Sequence, residues 1–328
     1  MNENEKKTCN QEENQNEFVI TPVENSLAFK VGLLFSEELN YITIKSKNVN
    51  VEFVPENDEW WISPEEHPEK WELYADRDTF NWEERRKIRV AACQWWKEHV
   101  FVGKQIDCLS KGFYKLKQCE VKNIYAGAEV VLDNSKVDTM RFNSRVIEMR
   151  GNSRVNIMQQ NSSIGRMMND SRVGMMLKDS QVDCAMDNSK IGTMSDSSIV
   201  YEASGNSRIY QMCDNSRIYD IWDNSRVDVM QNNSRIETMA GSSRVGLMFG
   251  NSQICKTKDN SLVEVMRGNS QVVEVTDESQ IGKMYENSIA IKFEVLSDKY
   301  ILLPMDNKCI YQHKVEKDNK IEFLIEST

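Results

Sequence analysis

The sequence predicts a mainly β protein: a two-faced parallel β-solenoid of 18-residue coils, with an α+β N-terminal domain and a β C-terminal cap. Three observations predict it. From residue 133 to 294 a unit close to x-Asn-Ser-Arg-Val-x-x-Met-x recurs eighteen times without insertion or deletion. Its third position is Ser in every copy, from Ser135 to Ser288, and its fifth is Val or Ile from Val137 to Ile281, failing only at Ala290. The seventh position alternates, reading Thr139, Ile157, Met175, Thr193 and Gln211 in odd units against Glu148, Arg166, Cys184, Glu202 and Asp220 in even ones. A unit this short cannot bury a core alone, so copies must stack around a shared interior. The alternation then sets two units per coil, with unlike faces. Nine coils at a strand spacing of about 4.8 Å make a solenoid about 43 Å long.

Strands follow from the Val, Ile, Thr and Met content, and corners from the Asn, Asp, Ser and Gly positions. All five prolines, Pro22, Pro55, Pro64, Pro68 and Pro304, lie outside the array, as a ladder using every backbone N–H requires. Ser and the Val/Ile position are expected to point inward, with Met closing the interior near the next corner. Asn fills thirteen of the eighteen second positions and is expected to turn the chain there in left-handed geometry and to bond its own image in neighbouring coils.

The array resembles the nonapeptide-repeat β-solenoid proteins of gut bacteria and their phages, in which Gly-Asn-Ala-Thr-Val-type units recur in the same way. The residues carrying the resemblance are Gly151-Asn152-Ser153-Arg154-Val155, Gly205-Asn206-Ser207-Arg208-Ile209 and Gly268-Asn269-Ser270-Gln271-Val272. It covers residues 133–294 and implies a fold, with no site residues to carry over. The calcium-binding nonapeptide differs, because it needs Asp at the sixth position, where this chain has Asp138, Ile147, Asn156, Gly165 and Gly174 in succession.

Ahead of the array, residues 1–17 are polar and read as a disordered tail without the apolar stretch of a signal peptide. Residues 18–111 form the Trp-rich α+β domain. Tyr41–Lys45 and Val49–Val54 alternate like strands. Asn81 and Glu84 resemble a capping box, after which Ile88, Ala92, Trp95 and His99 share one helical face. Six of the seven Trp lie between Trp60 and Trp96. They either build a core or, at Trp60, Trp61 and Trp71, an exposed recognition surface. Residues 112–132 look like degenerate coils, with Cys119 and Ala128 at the interior place. Residues 295–328 offer strands at Tyr300–Leu303, Ile310–His313 and Ile321–Leu324 to cover the last coil edge, which would otherwise invite stacking.

Composition narrows function. The formal charge is −10, but the array itself carries 19 Lys and Arg against 21 Asp and Glu. Overall acidity argues against nonspecific polyanion binding by the whole chain. Eight cysteines without zinc spacing read as reduced, mostly buried thiols, and a cytoplasmic, non-membrane protein is the default expectation. The three histidines are scattered and no nucleophile elbow, phosphate loop or metalloprotease motif occurs, so no catalytic residue, cofactor or metal is assigned. The seventeen Met read as core filler rather than soft-metal ligands.

One exposed feature stands out. The fourth position of consecutive odd units reads Lys136, Arg154, Arg172, Lys190, Arg208, Arg226 and Arg244 before Leu262 and Gln280 end the run. Such a column repels itself, so it either pairs with Asp133, Asp138, Asp187, Asp223 and Asp228 or forms an anion-recognition strip. The resulting expectation is a non-enzymatic scaffold presenting a rigid repeat surface to a protein partner, of unspecified oligomeric state. The alternatives are a nucleic-acid-binding or nucleic-acid-mimicking counter-defence factor of a phage or bacterium, using those cations, and an enzyme with its site in residues 18–111.

Overall fold

The computed structural model describes residues 42–46, 49–75, 81–294, 310–317 and 320–327. The expected tail, 1–17, and the strand expected at Tyr300–Leu303 lie outside them. Two compact units are present, one running to Gly103 and including Tyr114–Lys117, the other made of Lys104–Phe113 and the chain from Gln118 on.

In the first unit, strands β1 (Ile42–Ser46), β2 (Val49–Pro55) and β3 (Trp71–Ala75) form an antiparallel sheet in that order. Helix α1 (Trp82–His99) begins at the expected capping box: Asn81 Oδ1 accepts the Glu84 amide at 3.0 Å, and Glu84 Oε2 accepts the Asn81 amide at 2.9 Å. The helix buries Ile88, Ala92 and Trp95. His99 stacks on the Trp95 ring at 4.6 Å, its Nδ1 lies 2.8 Å from the Trp95 carbonyl, and burial pushes its pKa down. It is a packed residue, as its helical position implied.

The second unit is the solenoid. Odd-numbered repeats stack only on odd ones, and even on even. Val137 pairs in register with Val155 and Val155 with Val173, while Val146 pairs with Ile164 on the opposite wall. The odd wall has eleven parallel strands, ending at Gln280–Met284. The even wall ends at Ile289–Glu294, to which Ile310–Lys317 adds in parallel and Lys320–Ser327 antiparallel, so two of the three expected cap strands form. Among the described residues no helix is long and apolar enough to cross a membrane.

Interior places match the sequence. Every repeat Ser and every fifth-position residue is buried, and the eighth position of all nine odd units is a fully buried Met, from Met140 to Met284. The even column is mixed, with Met149, Met167, Ala185, Ala203, Ile221, Met239, Thr257 and Val275. Met is flexible enough to pack against such changing partners across the core.

Two details correct the expectations. The left-handed residue of each corner is the first position of the repeat, in every unit from Phe142 to Glu286, and only Asn134, Asn143, Asn161 and Asp179 adopt it at the second. That accounts for the Gly, Asp and Asn at the first position, since these residues tolerate positive φ best. The second-position Asn does ladder: Asn206 Nδ2 donates to Asn188 Oδ1 at 3.4 Å, and Asn287 Nδ2 to Asn269 Oδ1 at 3.2 Å. The second correction concerns register. Gln105–Leu109 already pairs with Glu120–Ile124, so the ladder begins before residue 112. Val121 pairs with Val137 and Val130 with Val146, making these early coils shorter than eighteen residues. Cys119 therefore occupies the serine place beside Ser135, whose Oγ accepts its amide at 3.0 Å. Val121 and Val130, rather than Cys119 and Ala128, take the Val/Ile place.

The serine hydroxyls give a stability prediction. Ser225 Oγ contacts the Trp222 carbonyl at 2.5 Å and the Ala203 carbonyl at 3.1 Å, whereas the buried Ser207 Oγ has no partner among the described residues. Ser225→Ala is expected to cost about 1 kcal/mol, and Ser207→Ala to be neutral or slightly stabilising, because it removes an unsatisfied buried hydroxyl. Denaturant midpoints compare the two. Equal losses would mean that the Ser207 hydroxyl rotates onto a carbonyl in solution.

Candidate interaction site on the odd wall

The fourth position is the first residue of each odd strand and points outward, while the fifth points in. This places all seven cations in one column, stepped by about 4.8 Å. Successive members are register partners: Lys136 with Arg154, then Arg172, Lys190, Arg208, Arg226 and Arg244.

The column is neutralised at its first member and toward its far end. Lys136 Nζ lies 3.1 Å from Glu120. Arg208 grips Asp228 through Nε and Nη2, the latter at 2.7 Å, and this hydrogen bond raises its pKa. Arg226 shares Asp228 at 2.8 Å and reaches Glu264 at 3.6 Å. Arg154, Arg172, Lys190 and Arg244 have no carboxylate within 4.0 Å among the described residues. The first three are consecutive.

Of the five acids expected to pair with the column, Asp228 is shown to do so among the described residues. Asp228 lies at the sixth position, on the same outward face two residues on from Arg226; Asp138 holds the same place in its own unit but is taken by Asn156. Asp187 and Asp223 sit at the corner, where they accept the backbone N–H of Asn169 at 2.8 Å and of Gly205 at 3.0 Å from the preceding coil. Asp138 accepts from Asn156 at 2.9 Å and Asp133 from Asn134 at 2.7 Å. The sixth positions beside the free cations are Asn156, Gly174 and Gly192, which carry no charge. A Cβ at Gly192 would stand 2.3 Å from the Gly174 carbonyl oxygen, so no side chain shields the strip there. Met175, at the seventh position, is 40% exposed beside the strip.

The even wall has different chemistry. Its Arg217 and Arg235 pair with Glu237, and Lys256 with Glu274. Glu148 is buried between Arg150 and Arg166. Glu202 and Asp220 are register neighbours with no cation within 4.0 Å among the described residues. Beside them Tyr201 and Tyr219 stack at 5.2 Å, and Tyr201 is 41% exposed.

The tryptophans resolve in favour of a core. Trp60 and Trp71 are buried, Trp71 stacking on Phe53 at 5.1 Å and donating to the Ile62 carbonyl, while Trp96 Nε1 donates to the Trp60 carbonyl at 2.9 Å. Trp61 is half-buried under Lys117. The exposed indole is Trp82, at the start of α1, which the clustering of Trp gave no means to single out. Among the described residues no group of three or more His, Cys, Asp or Glu is placed to hold a metal. Cys93, Cys119, Cys184, Cys213 and Cys255 are reduced thiols, whereas Cys108 is disulfide-bonded, against the expectation of eight reduced cysteines. Burial, with Glu237 alongside, pushes the Cys255 thiol up to about 11, which keeps it protonated at neutral pH.

No family model matches this sequence, and comparisons with curated proteins and with solved structures give no match.

Proposed function

We propose that the protein is a non-enzymatic interaction scaffold whose odd wall docks an acidic surface of a protein partner. The observation that supports this best is the run of three cations, Arg154, Arg172 and Lys190, unneutralised among the described residues and held in register on a hydrogen-bonded wall. Uncompensated like charges at this spacing repel one another, and a partner that supplies carboxylates relieves the repulsion. The rigid ladder also removes most of the ordering cost of presenting them. Arg and Met, both present here, are enriched at the cores of protein interfaces.

The test contrasts free cations with paired ones. Arg154→Gln/Arg172→Gln/Lys190→Gln is expected to lose roughly tenfold or more in partner binding, a change of about 1.4 kcal/mol. Arg208→Gln/Arg226→Gln should lose little, because Asp228 already holds both side chains. Partners are recovered from nuclease-treated host extract by cross-linking to the parent and to each variant. Recovery of the same proteins by the triple variant sinks the reading.

The even step of the cations also favours a second reading, a phosphate backbone on the same strip. Salt-sensitive, submicromolar binding of duplex DNA or RNA by the parent, abolished in the triple variant, would replace the protein partner with nucleic acid.

A further inference from the structure

Resting on that reading, we infer that the acidic surface docked by the odd wall is the even wall of a second copy of this chain, centred on Glu202 and Asp220. Among the described residues the two carboxylates are register neighbours without a cation, as Arg172 and Lys190 are register neighbours without an acid. Each pair is destabilised alone and relieved by the other. Because both belong to parallel ladders of one solenoid, their steps are the same, so charges meet coil for coil.

Direction adds a second match. The chain crosses the odd wall one way and returns along the even wall the other way. When a copy is translated so that its even wall faces the odd wall of its neighbour, the facing strands run oppositely. The fourth position opens an odd strand and the seventh lies near the end of an even one, so the two come to the same side of the contact. The cations face the acids by translation alone. An axial stagger of one coil sets Arg172 opposite Glu202 and Lys190 opposite Asp220. The same stagger brings the exposed Met175 opposite Ile199. The contact is heterologous: each copy offers its odd wall to one neighbour and its even wall to another, giving an open lateral row.

Sedimentation velocity over a range of protein concentration, at low and at high salt, tests this. The parent is expected to form species larger than a dimer at low salt and to dissociate at high salt. Arg172→Gln/Lys190→Gln and Glu202→Gln/Asp220→Gln should each stay monomeric alone. An equal mixture of the two has only one intact pair of walls, so it should stop at a one-to-one heterodimer. A parent that stays monomeric at low salt overturns the inference, as does a variant that assembles like the parent. If the parent is monomeric while the triple Gln variant still loses an extract protein, the docking reading survives and only the identity of the acidic surface fails.

Discussion

Ile209→Asp is expected to leave no intact solenoid. Ile209 is 1% exposed, in the middle of the odd inner column between Ile191 and Val227, its register partners. The fully buried Met212 follows on the same strand. A carboxylate there finds neither water nor a cation, and an unpaired buried charge costs several kcal/mol, comparable to the stability of a whole domain. In a repeat array each coil is held mainly by its neighbours, so the defect removes two interfaces at once and separates the coils on either side. Ile209→Val, which only deletes a methylene, should cost about 0.5–1.5 kcal/mol. Circular dichroism and limited proteolysis read the difference. An aspartate variant that melts like the parent would show that the fifth position does not face the interior.

The coil was legible because period and phase are local properties of the chain. Invariant Ser and Val/Ile positions mark the inner face, and the unlike seventh positions separate the walls, which is why Val137 could be placed on Val155 rather than on Val146. What escaped depends on geometry that a period does not encode. The corner residue was misplaced by one position because Asn is abundant at the second place, while the first place mixes Gly, Asp, Asn, Lys and Phe and so looks unpatterned. The early coils were misregistered because their shorter length breaks the period being extrapolated. On the odd wall the cation column was visible, but its pairing was not. Asp187, Asp223 and Asp228 are alike in composition, yet the two at corners serve backbone amides and the one on the wall serves arginines, while Asp138, also on the wall, serves Asn156.

Removing one repeat should exchange the walls without unfolding the solenoid, and this gives the largest expected effect on association. Deletion of residues 178–186 takes out one even unit and joins Leu177 to Asp187 in phase, the ninth position followed by the first. Every later unit then moves to the opposite wall. The inner positions remain compatible, since Ser and Val or Ile recur on both walls. Met194 would take the place of Ala185, a local overpacking that costs about 1–3 kcal/mol. The outer surface changes far more. Arg154 and Arg172 stay on the odd wall but are followed by Ile199, Lys190 passes to the even wall after Ser163, and Glu202 comes beside Met175 close to Arg172. The free cations are split, and Arg172 meets an acid of its own chain. Deletion of residues 250–267 removes two units, one whole coil, and leaves Arg154, Arg172, Lys190, Glu202 and Asp220 on their original walls. Both variants should keep the β spectrum and a cooperative melt. The 18-residue deletion should associate like the parent, and the nine-residue deletion should not associate at any concentration at which the parent does. Parent-like association of the nine-residue deletion would show that the pattern of the walls does not direct docking. Collapse of that variant alone would show that the two walls are not interchangeable inside.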